Sequence, residues 1–302
     1  MSSSVRPYLF TSAACLSHDP GPHHPERVAR LRTVLERVRE EAVATIRESP
    51  AAPRESLARV HPESYLDHLD RVASAGGGVL DPDTVMSAGS GEAARAGAGA
   101  VLEAMRHAAA GSSHAFAAVR PPGHHALADR AMGFCLLANV TIAAAAALAQ
   151  GRSRILIVDW DVHHGNGTQA LVEREPAIRF VSLHQWPLYP GTGAASERGV
   201  GNVWNVPRPA GLPPDQYVED LWSAVVAATD DWEPELVLIS AGYDSMRGDP
   251  LGGFTLEPEH YAVWVTRLRD RVPRAPIVAA LEGGYAPERI AAGVVATLRA
   301  LA

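Results

Sequence analysis

The segment RILIVDWDVHHGNGTQ (residues 154–169) decides the fold of the chain and points to its chemistry. Four consecutive apolar residues run directly into two aspartates and two histidines. Such an apolar run predicts a strand buried on both faces, as in a parallel sheet. Because positions i and i+2 of a strand share one face, Asp159, Asp161 and His163 are expected to line one side if the strand continues that far. Two carboxylates and an imidazole at this spacing predict a metal-binding or catalytic cluster.

The rest of the chain alternates between apolar runs and segments with apolar residues at helical spacing. Strands are predicted at AFAAV (115–119), RILIVDW (154–160), IRFVSL (178–183), ELVLIS (235–240) and PIVAAL (276–281). Helices are predicted at residues 25–46, 62–73, 91–110, 139–150, 213–229, 258–272 and 287–302. This alternation predicts βαβ units and a predominantly parallel sheet with helices on both faces. We expect a single α/β domain over residues 1–302, with AGGGVLDPD (75–83) as a loop.

Polar residues follow the end of each predicted strand. The following segments are RPPGHHA, DWDVHHG, LHQ, AGYDS and EGGY. Since ligands bind beyond the carboxyl ends of parallel strands, these five segments are expected to converge on one site. Asp161, His163 and Asp244 would leave further positions open on a metal, as in catalytic sites. Zn²⁺ is the first choice, but this carboxylate-rich set also suits Fe²⁺, Co²⁺ or Mn²⁺. Taken singly, Asp161 and His163 could instead form a buried ion pair, and Asp244 could cap a turn.

Two further motifs carry groups suited to proton transfer. His124 and His125 follow a stiff Pro-Pro-Gly turn, and two adjacent histidines beside a metal site indicate acid–base chemistry. Tyr285 follows two glycines and could donate a hydrogen bond to a developing oxyanion, although a core tyrosine is the alternative. His23 and His24 lie among prolines and are interpreted mainly as loop and cap residues.

Composition excludes several other classes of protein. The chain has 302 residues, a net charge of −7 and 47% hydrophobic content, so we expect no large nucleic-acid footprint. The alanine-rich runs are too short and too weakly apolar to predict a membrane span. The two cysteines do not form a disulfide framework, and the first ten residues lack the apolar region of a secretory signal. A cytoplasmic location is the simplest expectation.

Together these motifs resemble the arginase–deacetylase fold, and specifically the zinc-dependent histone deacetylase family. The matching blocks, in the order of the family, are RPPGHHA, GFC, DWDVHHGNGTQ, SLHQ with YPGTG, SAGYDSMRGDPLGG and LEGGY. The resemblance covers most of the chain, from about Leu16 to Tyr285. Arginase resembles the chain less, because the carboxylates of a second metal site are replaced by Gly165 and Met246. One catalytic metal is therefore expected.

The resemblance implies a role for each matching residue. Three residues would bind zinc: Asp161, His163 and Asp244. His125 would be the general base that takes a proton from water and returns one to the leaving amine. His124, oriented by Asp159, would be its electrostatic partner, and Tyr285 would bind the amide carbonyl oxygen and the oxyanion.

The resemblance also implies an acyl-lysine channel and a second cation. Phe134 and Tyr189 would form the aromatic walls of the channel, and the Gly133 carbonyl would face the substrate amide. A structural potassium ion would be held, partly through backbone carbonyls, by Asp159, Asp161, His163, Ser182 and Leu183.

Two positions refine the expected substrate and chemistry. Asn166 stands where one branch of the family has a second aspartate, so the chain resembles class II members and His125 should be less basic than His124. Leu251 stands where polyamine deacetylases carry a glutamate, which favours acyl-lysine. Acidic residues in loops at the entrance keep acetylpolyamines open as substrates: Asp19, Asp83 and Asp129. Asp83 could equally hold the backbone of a peptide substrate.

The leading hypothesis is therefore a hydrolase that removes acetyl or other acyl groups from lysine-like primary amines. The first alternative is the same chemistry on acetylpolyamines or another small acylated amine. The second is an inactive module that only binds acylated amines, which the intact ligands, histidines and tyrosine disfavour. A monomer and a homodimer are both compatible with the sequence.

Overall fold

A parallel β-sheet forms the centre of the computed structural model, which describes residues 6–111 and 114–302. Its strands are β1 (Tyr8–Thr11), β2 (Thr45–Glu48), β5 (Ala115–Ala117), β6 (Ile155–Asp159), β7 (Ile178–Gln185), β8 (Val203–Arg208), β9 (Leu236–Ala241) and β10 (Ile277–Leu281). Their order in the sheet is β2-β1-β5-β10-β9-β6-β7-β8, and every pairing is parallel. The predicted α/β fold is thus confirmed. Residues 1–5, part of the segment that is predicted not to be a secretory signal, lie outside the described residues.

Helices flank the sheet. They are α1 (Ala29–Glu41), α2 (Arg54–Leu57), α3 (Glu63–Ser74), α4 (Ser90–Ala109), α5 (Asn139–Ala149), α6 (Asn166–Val172), α7 (Pro214–Thr229), α8 (Pro258–Arg271) and α9 (Pro287–Leu301). The alanine-rich helices α4 and α5 pack on each other, and α9 packs between α1 and α8. Small residues allow close approach: a Cβ atom on Gly99 would lie 2.0 Å from the Pro50 carbonyl oxygen. No helix in the described part of the chain is long and apolar enough to cross a membrane.

The central strands explain the continuous apolar runs of the sequence. Every residue of β6, β9 and β10 is buried. Burying a Val, Leu or Ile side chain stabilises a fold by about 1.5–3 kcal/mol. These strands therefore form a rigid base, and their carboxyl ends carry the polar segments.

Several elements differ from the sequence prediction. The helix predicted over residues 25–46 is α1, which ends at Glu41; Ala42 is left-handed and the chain continues into β2. The loop predicted over residues 75–83 is wrong, because β3 (Gly77–Asp81) pairs with β4 (Thr84–Ser87) in an antiparallel hairpin. Strands β2 and β8 lie at the sheet edges and are partly exposed, so they lack the long apolar runs by which buried strands are recognised.

A buried ion cluster joins α1 to the loop after β5. Glu26 accepts hydrogen bonds from Arg30 at 2.7 Å and from Arg120 at 2.6 and 2.7 Å, and His18 lies 3.2 Å from its carboxylate. Burial opposes the charge on Glu26, but Arg120, His18 and Arg30 together hold its pKa well below the usual value. Arg30 also donates to the Glu282 carbonyl oxygen at 2.5 Å, so the cluster supports the segment that follows β10.

We expect Glu26→Gln to lower the free energy of unfolding at pH 7 by about 3–5 kcal/mol, because it leaves two buried guanidinium groups without a counter-charge. Since the folded-state pKa of Glu26 is depressed, this stability is present above the ordinary pKa of 4.5 and is lost as the pH falls below it. The difference between wild type and variant should therefore shrink in urea denaturation at pH 4.

The matched control is Glu63→Gln, which removes an exposed partner of Arg54. It should change stability by no more than about 1 kcal/mol. Equal stability of Glu26→Gln and wild type at pH 7 would contradict the role of the cluster.

Candidate active site

The carboxyl ends of five adjacent strands meet at one place, as the sequence predicted. Strands β5, β10, β9, β6 and β7 are consecutive in the sheet. The segments after β5, β10, β9 and β6 carry His124 and His125, Tyr285, Asp244, and Asp161 with His163, respectively. His184 lies within β7, near its carboxyl end, so the LHQ segment that was predicted to follow this strand is part of it. Parallel strands bring these side chains to the same edge although they lie far apart in sequence.

Asp161, His163 and Asp244 form a compact, buried group. One ligand atom from each lies within 4.8 Å of the others. The Nδ1 atom of His163 is 3.0 Å from Asp161 Oδ1 and 3.2 Å from Asp244 Oδ2. The strand does not continue to His163, because β6 ends at Asp159, so the condition for a shared strand face is not met. Instead, the carboxylates of Asp159 and Asp161 accept hydrogen bonds from the backbone N–H two residues later, which bends the chain and still gathers the side chains.

The charges in this group are unbalanced without a cation. Burial and the neighbouring Asp161 raise the pKa of Asp244 to about 7. Burial disfavours the imidazolium of His163, but the adjacent carboxylates of Asp161 and Asp244 outweigh it and raise the pKa of His163 to about 10. His163 and Asp244 thus favour their protonated forms where a bound metal ion could supply the positive charge, whereas the pKa of Asp161 is lowered.

Local packing fits a metal ion at this group. Asp244 Oδ2 is buried and accepts no well-aligned hydrogen bond, although His163 Nδ1 lies 3.2 Å away. A Cβ atom on Gly283 would lie 2.1 Å from this oxygen and 2.5 Å from Asp161 Oδ2, so only glycine leaves the carboxylates room. Two carboxylates and an imidazole suit Zn²⁺, and also Fe²⁺ or Co²⁺.

The adjacent histidines differ in their charge state. His124 Nδ1 is 3.0 Å from Asp159, and although burial opposes it, the charges of Asp161 and Asp159 raise the pKa of His124 to about 10. His125 Nδ1 is 2.7 Å from Asn166 Oδ1. Burial and the neighbouring His124 and His163 hold the pKa of His125 well below its usual value, which agrees with the predicted order of basicity. The sequence prediction attributed the lower pKa of His125 to Asn166. In the structure burial contributes most, and the hydrogen bond to Asn166 raises this pKa.

A cavity of ≈ 270 Å³ opens beside these groups. It is lined by Asp83, His125, Gly133, Phe134, His163, Leu188, Tyr189, Leu251 and Tyr285. All five residues predicted to contact substrate are therefore brought together. The rings of Phe134 and Tyr285 are 5.7 Å apart at 83°, and Tyr189 lies edge-on to His125 at 5.1 Å. Burial raises the pKa of Tyr285, so its hydroxyl keeps its proton.

The hairpin that the sequence did not predict supports one wall of the cavity. Gly133 and Phe134 both have positive φ, and their backbone N–H groups donate to Asp83 at 3.2 Å and to Thr84 at 3.0 Å. The ring of His24 packs on Phe134 at 4.7 Å, which places it behind the wall. Asp19 and Asp129, the other acidic candidates, are exposed and do not line the cavity.

The residues predicted to hold potassium also lie together. Asp159 on β6 is paired in register with Ser182 on β7, and Leu183 follows it. Asp159, Asp161 and Ser182 are fully buried, so an enclosed cation would find oxygen atoms there.

Sequence reasoning missed the groups that hold these segments in place. Glu282 Oε2 accepts hydrogen bonds from the backbone N–H groups of Gly123 at 2.6 Å and His124 at 3.1 Å. Asp249 accepts from Tyr285 N at 2.6 Å and Leu251 N at 3.0 Å. Both carboxylates lie inside motifs quoted above, LEGGY and SAGYDSMRGDPLGG, but their partners are backbone groups distant in sequence.

Comparison with known proteins assigns the family. The sequence model of the histone deacetylase domain matches residues 24–301. The chain is 42% identical to protein slr0245 of Synechocystis sp., over 97% of this chain and 98% of that protein. It is 35% identical to the histone deacetylase-like amidohydrolase of Pseudomonas aeruginosa, over 93% and 82% of the two chains. The crystal structure of the HDA15 HD domain superposes with a TM-score of 0.94 at 34% identity, covering 98% of this chain and 88% of that one.

The chain therefore belongs to the histone deacetylase family, as its motifs indicated. Membership makes it a hydrolase that acts on amide bonds, which confirms the predicted enzyme class. An acylated amine is the substrate class that the family implies.

We expect the chain to bind one divalent metal ion at Asp161, His163 and Asp244. A second buried group, His124, Cys135 and Glu282, has comparable spacing and supplies the control. Zinc titration with a chromophoric competitor should show binding abolished in His163→Ala and retained in Glu282→Gln. The reverse order would assign the metal to the second group.

Proposed function

We propose that the chain is a zinc-dependent deacetylase that removes acetyl groups from lysine-like primary amines. The observation that carries the proposal is that the group of Asp161, His163 and Asp244 reaches, through His163, the cavity that His125 and Tyr285 also line. When bound, zinc would polarise the substrate carbonyl and lower the pKa of a water molecule.

His125 is suited to act as the general base. Its low pKa keeps it neutral near pH 7. The bond to Asn166 Oδ1 requires the proton on Nδ1, which leaves the Nε2 lone pair free to accept a proton from water. The same imidazole then returns a proton to the leaving amine. His124 stays positively charged beside Asp159 and stabilises negative charge that develops nearby.

Tyr285 supplies the hydrogen bond to the oxyanion. Its raised pKa keeps the hydroxyl protonated, and Asp249 fixes its backbone. A preorganised donor of this kind stabilises the transition state more than the ground state.

The cavity walls favour a linear, mostly apolar side chain. Phe134, Tyr189, Leu188 and Leu251 provide the apolar surface, and the Gly133 carbonyl is the acceptor for the substrate amide N–H. An acyl-lysine side chain has this shape. An acetylpolyamine is the second candidate, because the carboxylate of Asp83 also lines the cavity and could attract a distant ammonium group.

Potassium is the second cation in the proposal. Asp159, Asp161, His163, Ser182 and Leu183 would hold it under the metal ligands, where it would offset the buried carboxylates. A cytoplasmic location also stays a prediction.

We expect Tyr285→Phe to lower kcat on an acetyl-lysine peptide by about 10²–10³-fold with little change in KM, because the lost hydrogen bond acts mainly in the transition state. His125→Ala should abolish turnover while zinc binding persists. Zinc-loaded enzyme that binds the peptide but does not hydrolyse it, or any other acylated amine, would instead support a binding module.

Leu251→Glu should shift the ratio of kcat/KM values toward acetylpolyamines, because a carboxylate on the cavity wall attracts a cationic substrate. Leu251→Gln has the same shape without the charge and should not produce this shift. A wild-type preference for acetylpolyamines over the peptide would reverse the order of the two candidates.

A further inference from the structure

One wall of the cavity is a surface loop held from below by two buried histidines. This loop, called the Tyr189 loop (residues 186–193), contributes Leu188 and Tyr189 to the lining. The Tyr189 ring lies 5.1 Å from the ring of His125 and 6.2 Å from that of His163. Trp186 and Tyr189 are 38% and 37% exposed, so the loop gains little stability from burial of its own side chains.

Hydrogen bonds fix the carboxyl end of the Tyr189 loop. His184 Nε2 is 2.9 Å from the Gly193 carbonyl oxygen, and His164 Nδ1 is 2.8 Å from the Thr192 hydroxyl. The two imidazole rings are 4.7 Å apart and pack beneath the loop. Both histidines are buried, so neither can exchange these partners for bulk water.

The partners of His184 determine where its proton lies. A carbonyl oxygen can only accept, so Nε2 must carry the hydrogen that is donated to Gly193. The Ser182 hydroxyl lies 3.0 Å from Nδ1, so the ring has a partner at both nitrogens.

At Gly193 the Tyr189 loop approaches the imidazole rings of His164 and His184 closely. A Cβ atom on Gly193 would lie 2.5 Å from His184 Nε2 and 2.6 Å from His164 Cγ. Neither ring can give way, because each is held by hydrogen bonds on both nitrogens. Gly191, two residues earlier, has a similar positive φ of +84°, but a Cβ atom there would meet nothing within 4 Å.

We propose that His184 is a positioning residue for substrate binding. It docks the Tyr189 loop on the end of β7 through the chain Ser182–His184–Gly193 and so fixes the wall that the acyl side chain contacts. The docking is a property of the loop alone; its effect on substrate affinity rests on the proposed deacetylase function. Because the wall contacts the substrate in both ground and transition states, loss of docking raises KM more than it lowers kcat.

The sharpest test compares two alanine substitutions in the same loop. Gly193→Ala and Gly191→Ala carry similar backbone strain, but only the first forces the loop away from the imidazoles. On an acetyl-lysine peptide, Gly193→Ala should raise KM by about 10-fold with kcat changed by less than about 3-fold, and Gly191→Ala should change KM by less than about 2-fold. Equal KM values in the two variants would overturn the proposal.

A second measurement does not depend on turnover. His184→Phe keeps a ring but removes both hydrogen bonds, and Trp186 reports on the loop. Acrylamide quenching of tryptophan fluorescence should increase in His184→Phe. The increase should vanish when Trp186→Phe is added, because the other five tryptophans lie outside the Tyr189 loop. His114→Phe removes another partly buried histidine far from the cavity and controls for general loosening.

The two measurements separate the possible failures. Unchanged quenching in His184→Phe, or the same increase in His114→Phe, would show that His184 does not dock the loop. Increased quenching in an enzyme that is inactive on every acetylated amine would retain the docking and reject the proposed function.

Discussion

The site depends on one electrostatic constraint: carboxylates buried at the end of a parallel sheet need positive charge close by. Asp159, Asp161 and Asp244 are fully buried. Charged groups in such surroundings are stable only when they are paired or bind a cation. The chain supplies the imidazoles of His124 and His163, and one oxygen of Asp244 still accepts no well-aligned hydrogen bond. The proposed zinc and potassium ions would complete this balance.

Backbone N–H groups also stabilise the buried carboxylates of the site. Each of the carboxylates that bend or join the site segments accepts at least one of them: Asp159, Asp161, Asp244, Asp249 and Glu282. Such bonds stabilise a carboxylate without adding another mobile side chain. Arg30, which donates to backbone carbonyls after β10, connects this layer to the buried cluster at Glu26. The segment after β10, which carries Tyr285, is thus linked to the buried ion cluster through Arg30 of α1.

The sequence predicted those parts of the fold and site that follow from a single physical rule. Long apolar runs identified β6, β9 and β10 because these strands are buried on both faces. Polar residues directly after the strands located the site, because parallel strands end at the same edge. The edge strand β2 and the hairpin β3–β4 escaped detection because they are short and partly exposed, so periodicity is weak. Glu282, Asp249 and His184 were missed because their partners are distant backbone groups, which a local pattern cannot show.

The central claim is that a single metal ion at the sheet edge activates water for amide hydrolysis. The most direct measurement titrates the metal-free chain with zinc while following acetate release from an acetyl-lysine peptide. The claim predicts no release without metal and a linear rise that reaches a plateau at one zinc per chain. Full activity without metal, or a plateau that requires two ions per chain, would contradict it.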